Sequence, residues 1–249
     1  MTPGPQRLEE LGLNSCAPPG QLLYDGWLLR LAAGAAKRAR SVNAVYPSQL
    51  PLDEKIAHCE RIYRAAGLPA IFRMTPFSEP ADLDAALERH GYRKFETTAV
   101  ECAAIAADIA PDSRAEPMEL AAWVDTVGEI RNSPVAHRAI HLARLQAAPL
   151  ATRSVVVRHG GRPVATGLAI VEDDCVGLFD IVTREGARRQ GCARAIVATL
   201  LDTARRELGA RHAYLQVRAD NAPARALYRR FGFTERYAYW YRGRNTDPA

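Results

Sequence analysis

Asp180-Ile181-Val182-Thr183-Arg184-Glu185-Gly186-Ala187-Arg188-Arg189-Gln190-Gly191-Cys192-Ala193-Arg194 runs from a strand end, through a turn, into the start of an amphipathic helix. Apolar residues Ala193, Ile196, Val197, Leu200, Ala204 and Leu208 recur at spacings of three and four, and Gly209 ends the helix. Gly191 and Ala193 are small enough for a ligand to approach the backbone. The first N–H groups of a helix have no internal partners, and the helix dipole places partial positive charge there. A pyrophosphate fits such a seat, with Arg188, Arg189 and Arg194 beside it. The stretch is neither the G-x-G-x-x-G dinucleotide fingerprint nor a Walker A loop, since no GK[ST] follows.

Three strands precede the turn, at Thr152–Arg158, Pro163–Val171 and Cys175–Thr183. Tight turns at His159–Arg162 and Glu172–Asp174 make them an antiparallel meander. Ahead of it, Pro117–Ile130 and Pro134–Ala147 read as helices opened by prolines. Behind the turn, His212–Arg218 reads as a strand, Asn221–Arg230 as a helix and Phe233–Arg242 as a last strand. Antiparallel hairpins with a helical crossover make this half a mixed α/β (α+β) sheet.

The segment Asn221-Ala222-Pro223-Ala224-Arg225-Ala226-Leu227-Tyr228-Arg229-Arg230-Phe231-Gly232-Phe233 adds a second signature. Together the two segments resemble the GNAT superfamily of acyl-CoA-dependent N-acyltransferases over about residues 115–242. That family's phosphate turn, [QR]-x-x-G-x-[GA], is matched at Arg188, Gly191 and Ala193. Its N-x-x-A-x-x-L-Y-x-x-x-G-F is matched at Asn221, Ala224, Leu227, Tyr228, Gly232 and Phe233.

The resemblance implies an acetyltransferase with acetyl-CoA as co-substrate, no metal, and a small-molecule or peptide amine as acceptor. It implies that the strand ending at Thr183 splays from Leu215–Arg218, and that main-chain groups of Ile181 and Thr183 pair with the pantetheine arm. Amides from Arg189 through Arg194, including those of Gln190, Gly191, Cys192 and Ala193, then hold the pyrophosphate beside Arg188. Asn221, with Ala224 in its motif, bonds the pantetheine region, Tyr228 points at the thioester sulfur, and an N–H near Val182 meets the oxyanion. The general base is Asp180 or a water relay; the family's glutamate positions on this strand are Val176 and Gly177 here. A non-catalytic acyl-CoA sensor is the alternative from another class.

Composition narrows the setting. The chain has 249 residues, and no apolar run approaches the ~18 residues of a spanning helix, so no membrane association is expected. No secretory signal opens the sequence, and five scattered cysteines without a CxxC suit a reducing, cytoplasmic setting. Residues 184–244 hold 14 Arg against 5 acids, a local excess that fits a phosphate-bearing co-substrate; no stacking pattern suggests nucleic acid. His137 and His141, four apart, read as a surface pair, and Cys192 as a filler of a small position. Glu172, Asp173 and Asp174 read as solvated turn residues. The oligomeric expectation is a monomer or a homodimer.

The first twenty residues, rich in Pro and Gly, read as irregular. Residues 21–105 read as a second module: strands Leu22–Leu31 and Ser41–Tyr46, a helix from Pro51 to Ala66, and a strand Ala70–Met74. A helix Pro80–Arg89 and a strand Tyr92–Cys102 complete it. Leu87-Glu88-Arg89-His90-Gly91-Tyr92 echoes Leu227–Phe233, but no phosphate turn precedes it. The expectation is a degenerate GNAT-like half, a linker at 106–115 and a catalytic domain at 116–244. Trp27 or Tyr46 of the first module is expected to touch the acceptor.

Overall fold

The computed structural model describes residues 2–34 and 36–244. The chain opens with helix α1 (Pro5–Asn14), where the sequence reads as irregular. Pro5 suits a helix start, and Leu8 and Leu11 are buried one turn apart. Next come β1 (Gln21–Tyr24) and β2 (Trp27–Arg30), a hairpin where one strand is expected. Asp25 and Gly26 both take positive φ, 43° and 82°, as an Asp-Gly hairpin turn requires. Then follow β3 (Val42–Ala44), α2 (Leu52–Ala65), β4 (Phe72–Met74), α3 (Leu83–Arg89) and the long β5 (Arg93–Ala104).

The remaining elements are β6 (Ala115–Pro117), α4 (Leu120–Ile130), α5 (Val135–Ala147), β7 (Ala151–His159), β8 (Arg162–Glu172) and β9 (Cys175–Thr183). After them come α6 (Cys192–Leu208), β10 (His212–Arg218), α7 (Ala222–Arg229) and β11 (Thr234–Gly243). The three-residue β6 was not foreseen; it pairs with β7 through Ala115–Val157 and Pro117–Val155.

The chain divides into two compact, discontinuous units rather than contiguous halves. The division runs through β5 and β11, the two long strands whose ends serve different units. Among the described residues, the N-terminal unit comprises 16–99, 218–220 and 237–244. Its core joins Trp27, Leu29, Val42, Ile56, Tyr63, Phe72 and Leu87. Here β2 and β3 are antiparallel and β4 is parallel to β3. The last strand of the chain then completes this sheet, pairing Trp240 with Met74 and Arg242 with Phe72. Arg242 forks onto Asp84 to lock α3 to that strand.

The C-terminal unit takes the chain up to Ser15, residues 100–217 and 221–236. Its strand order is β5-β10-β9-β8-β7-β6, with the end of β5 at one edge, a mixed sheet whose β9–β10 pair is parallel. Trp123, Val124, Val127 and Leu145 of α4 and α5 pack with Leu168 and Ile170 on one face of β8. Residue 167 points to the other face, by the two-residue period of a strand. There α6 lies so close that a Cβ on Gly167 would overlap the Ile196 side chain.

Candidate active site

Two departures from regular pairing open the sheet. β9 and β10 pair from Cys175–His212 to Leu178–Leu215 and no further. On the other side of β9, Leu168 faces Phe179 while Thr166 faces Val182, so Asp180 and Ile181 bulge opposite Gly167. Asp180 takes φ +49° at that bulge. Beyond Leu178, one edge of β9 therefore has no strand partner among the described residues. The Arg184 N–H donates to Val164 O. The alternation of an antiparallel ladder then turns Val182 toward β8 and Thr183 toward the open edge, with Ile181 in the bulge just before them.

The turn after β9 ends in Gly191 at φ +78°, which starts α6 with no side-chain cap. Arg189 is also left-handed, at φ +60°. The amides of Cys192, Ala193 and Arg194 head the helix, while Ala195 N–H already bonds Gly191 O. Arg188, Arg189, Gln190 and Arg194 are exposed. Gln190 Nε2 donates to Gly186 O and staples the turn. Cys192 is buried, its thiol donating to Ala187 O, which fits the filler role.

Sequence reasoning missed Arg114. Its Nη1 donates to Gln190 O at 3.1 Å, and its guanidinium lies 3.3–3.4 Å from where a Cβ on Gly191 would stand. Asp112 grips Arg114 through two bonds of 2.8 and 2.9 Å and also pairs with Arg194 at 3.2 Å. The Arg114 hydrogen bonds, helped by Arg194, hold the Asp112 carboxyl down at about 2. The supposed linker is thus tied to the turn, and Thr199 of α6 bonds Asp112 at both main-chain groups. Nothing local in the sequence marks this, because the partners lie about 80 residues away.

On α7, Asn221 Oδ1 accepts from Ala224 N–H at 3.3 Å, so its oxygen caps the helix. Tyr228 is buried, its ring edge-on to Phe233 at 5.9 Å. Burial first, and then the charge of Glu101, push the phenol up to about 12, so it is a proton donor at neutral pH. Glu101 is itself buried and accepts from Arg225 Nε at 2.8 Å.

At the bulge, Asp180 Oδ1 lies 2.7 Å from Arg131 Nη1, and Oδ2 lies 3.5 Å from His141 Nε2. His137 is exposed, but His141 is not the surface residue expected: only 21% of its side chain is exposed, and its ring packs edge-on to Trp123. Trp27, a candidate acceptor contact, is fully buried, with Nε1 bonded to Glu79 O; Tyr46 remains exposed. The acidic turn is not merely solvated either, since Arg7 of α1 pairs with Glu172 and Asp173. Asp174, Cys175 and His212 bring potential metal-ligand atoms within 4.8 Å at the paired end of β9 and β10. They lie away from the open edge and take no part in the chemistry below.

A splayed parallel pair, an uncapped arginine-rich helix start and a buried phenol on the following helix are the features that the GNAT resemblance implies. Residues 120–233 match the model of the acetyltransferase (GNAT) family. It is 29% identical over 248 residues to the "uncharacterized N-acetyltransferase YobR" of Bacillus subtilis, covering 95% of this chain and 97% of that one. Its fold is similar to a GCN5-related N-acetyltransferase from Kribbella flavida, with a TM-score of 0.71, 18% identity and coverage of 98% and 94%. It also resembles a tandem GNAT protein of the clavulanic acid pathway, with a TM-score of 0.61, 13% identity and coverage of 97% and 89%. The fold is therefore a GNAT fold joined to a GNAT-like N-terminal half. Among the described residues no helix is long and apolar enough to cross a membrane.

Proposed function

We propose that the protein transfers the acetyl group of acetyl-CoA to a primary amine of a small molecule or peptide. The observation that carries this reading is the open edge of β9 leading directly into the α6 start. Ile181 and Thr183 offer main-chain groups for the pantetheine amides, and the amides of Gln190 through Arg194 receive the pyrophosphate among Arg188, Arg189, Arg194 and Arg114. The amine attacks the thioester carbonyl directly. Fixing both reactants supplies much of the rate, an N–H near Val182 meets the developing oxyanion, and Tyr228 protonates the departing thiolate. Five buried cysteines outside any disulfide suit work in the reducing cytoplasm.

Release of free CoA from acetyl-CoA is the test, with aminoglycosides, polyamines, amino acids and peptides as acceptors. Turnover with an amine supports the enzyme. Tight acetyl-CoA binding without release for any amine would point instead to an acyl-CoA sensor.

A further inference from the structure

Amine attack needs a group to take a proton, because a primary amine is largely ammonium at neutral pH. Asp180 is the residue the sequence offers, yet its Oδ1 is held by Arg131 at 2.7 Å. The ring on its other oxygen is better suited. His141 Nε2 is 3.5 Å from Asp180 Oδ2, is wholly buried and makes no hydrogen bond elsewhere, so the exposed part of the ring lies away from Asp180. That distance is long for a hydrogen bond.

Three elements converge on the ring: β9 brings Asp180, α4 brings Trp123 from its first turn and Arg131 from its end, and α5 itself adds Arg144. Burial is the largest influence and lowers the pKa of His141; Asp180 opposes this, while Arg144 and Arg131 reinforce it. A lowered value keeps the imidazole neutral near pH 7 and able to accept a proton.

The faces of the sheet also divide the labour. α4 and α5 pack on the Leu168–Ile170 face of β8, and α6 on the Gly167 face. Leu201 of α6 and Phe231 and Phe233 after α7 line one cavity of about 330 Å³, so α6 and α7, which carries Tyr228, share a face. His141 and Tyr228 therefore approach the open edge of β9 from opposite faces of the sheet.

We propose that His141 is the catalytic base on the acceptor side, with Asp180 as the residue that orients it through Nε2–H. This rests on the acetyltransferase reading above. Nδ1 takes one proton from the acceptor ammonium and passes it to water. The amine nitrogen then bonds to the carbonyl carbon as the C–S bond breaks. The thiolate takes a proton from Tyr228, which regains it from the nitrogen as the amide forms. The net products are the acetylamine, CoA thiol and one proton.

The experiment follows free-CoA release against pH, with spermidine, kanamycin and lysine as probe amines and acetyl-CoA affinity measured in parallel. His141→Gln should lower kcat by about 10²–10⁴-fold, leave acetyl-CoA affinity unchanged and abolish the acidic limb of the kcat/KM profile. Asp180→Asn should cost less and move that limb to lower pH, since the charge that raises the His141 pKa is gone. An unchanged pH profile in both variants would overturn the assignment, even if kcat fell through loss of packing. Should no probe amine turn over, imidazole NMR decides the pair: His141 must titrate below the ordinary histidine value and drop further in Asp180→Asn. A His141 titration that ignores Asp180→Asn overturns the proposal. Failure of acetyl-CoA to bind the wild-type chain overturns the acetyltransferase reading instead.

Discussion

In the C-terminal unit β9 leads into α6 through Arg188-Arg189-Gln190-Gly191, and the helix starts uncapped, with no acid in its first turn. In the N-terminal unit β3 leads into α2 by the corresponding step, from a strand through a loop to a helix and on to a parallel strand. There the loop is already occupied. The Asp25 carboxylate accepts from the N–H groups of Gln49 and Leu50 at 2.9–3.1 Å and from Lys55 Nζ at 3.0 Å. The Leu50 N–H is the largest influence lowering the Asp25 pKa, followed by the Lys55 hydrogen bond. Asp53 and Glu54 add negative charge to the first turn of α2. One frame thus serves two ends. Where the turn keeps its amides open and surrounds them with arginine, it can seat a phosphate; where a carboxylate of the chain fills it, the turn only holds the fold together.

The largest effect concerns what each unit is made of. A chain beginning at Asp112 keeps the whole family-matched segment but loses α1 and the end of β5. The Tyr214 hydroxyl would lose Ser15 Oγ and Leu11 O, and Glu172 would lose Arg7. Thermal melting of that chain should show no cooperative transition. A sharp transition with intact CoA binding would mean that the C-terminal half is contiguous after all.

Next is Tyr228→Phe, which removes only a hydroxyl. Turnover should fall by about 10²–10⁴-fold with acetyl-CoA affinity unchanged. If kcat stays put, Tyr228 is a packing partner of Phe233 and nothing more.

Asp25→Asn strikes the other side of the comparison. It strips the countercharge from Lys55, whose side chain is fully buried, so the melting temperature should drop while CoA affinity in the folded protein stays as it was. Weakened CoA binding in a protein that remains folded would give the N-terminal turn a role in the site.

The smallest effect is acid stability. Asp112 titrates at about 2 in the folded chain against ~3.9 for a free aspartate. Its folded-state value is depressed, so its contribution is complete above the unfolded value and disappears as pH falls through 2. Denaturant titrations of Asp112→Asn should therefore lose part of the fall in stability between about pH 4 and 2. Identical slopes for both proteins would show that the Arg114–Asp112 clasp is weak in solution.

Much of the C-terminal unit was legible because its signals are local. The period of Ile196, Leu200 and Ala204, the two tight turns of the meander and the small residues at Gly191 and Ala193 each act over a few positions. The Asp25-Gly26 turn is equally local, an Asp-Gly pair inside the apolar stretch Leu22–Leu31. What could not be read depends on distant pairing. The end of β11 pairs with β4, Arg114 reaches Gln190 across 76 residues, and His141 meets Asp180 only because α5 folds back beside the bulge. Helical spacing put His141 next to His137, whereas burial against Trp123 is what sets its chemistry.

The contrast between the turns is tested most directly by counting CoA molecules per chain in a calorimetric titration of the wild type and of Gly191→Glu. The substitution forces a non-glycine residue into left-handed backbone, at about 1–2 kcal/mol, and adds charge and bulk at the phosphate seat against Arg114. The expected result is one CoA per wild-type chain and none for Gly191→Glu, with the circular dichroism of the two proteins alike. Two CoA per wild-type chain, or one that survives Gly191→Glu, would contradict the assignment of the open turn as the seat and the filled turn as a brace.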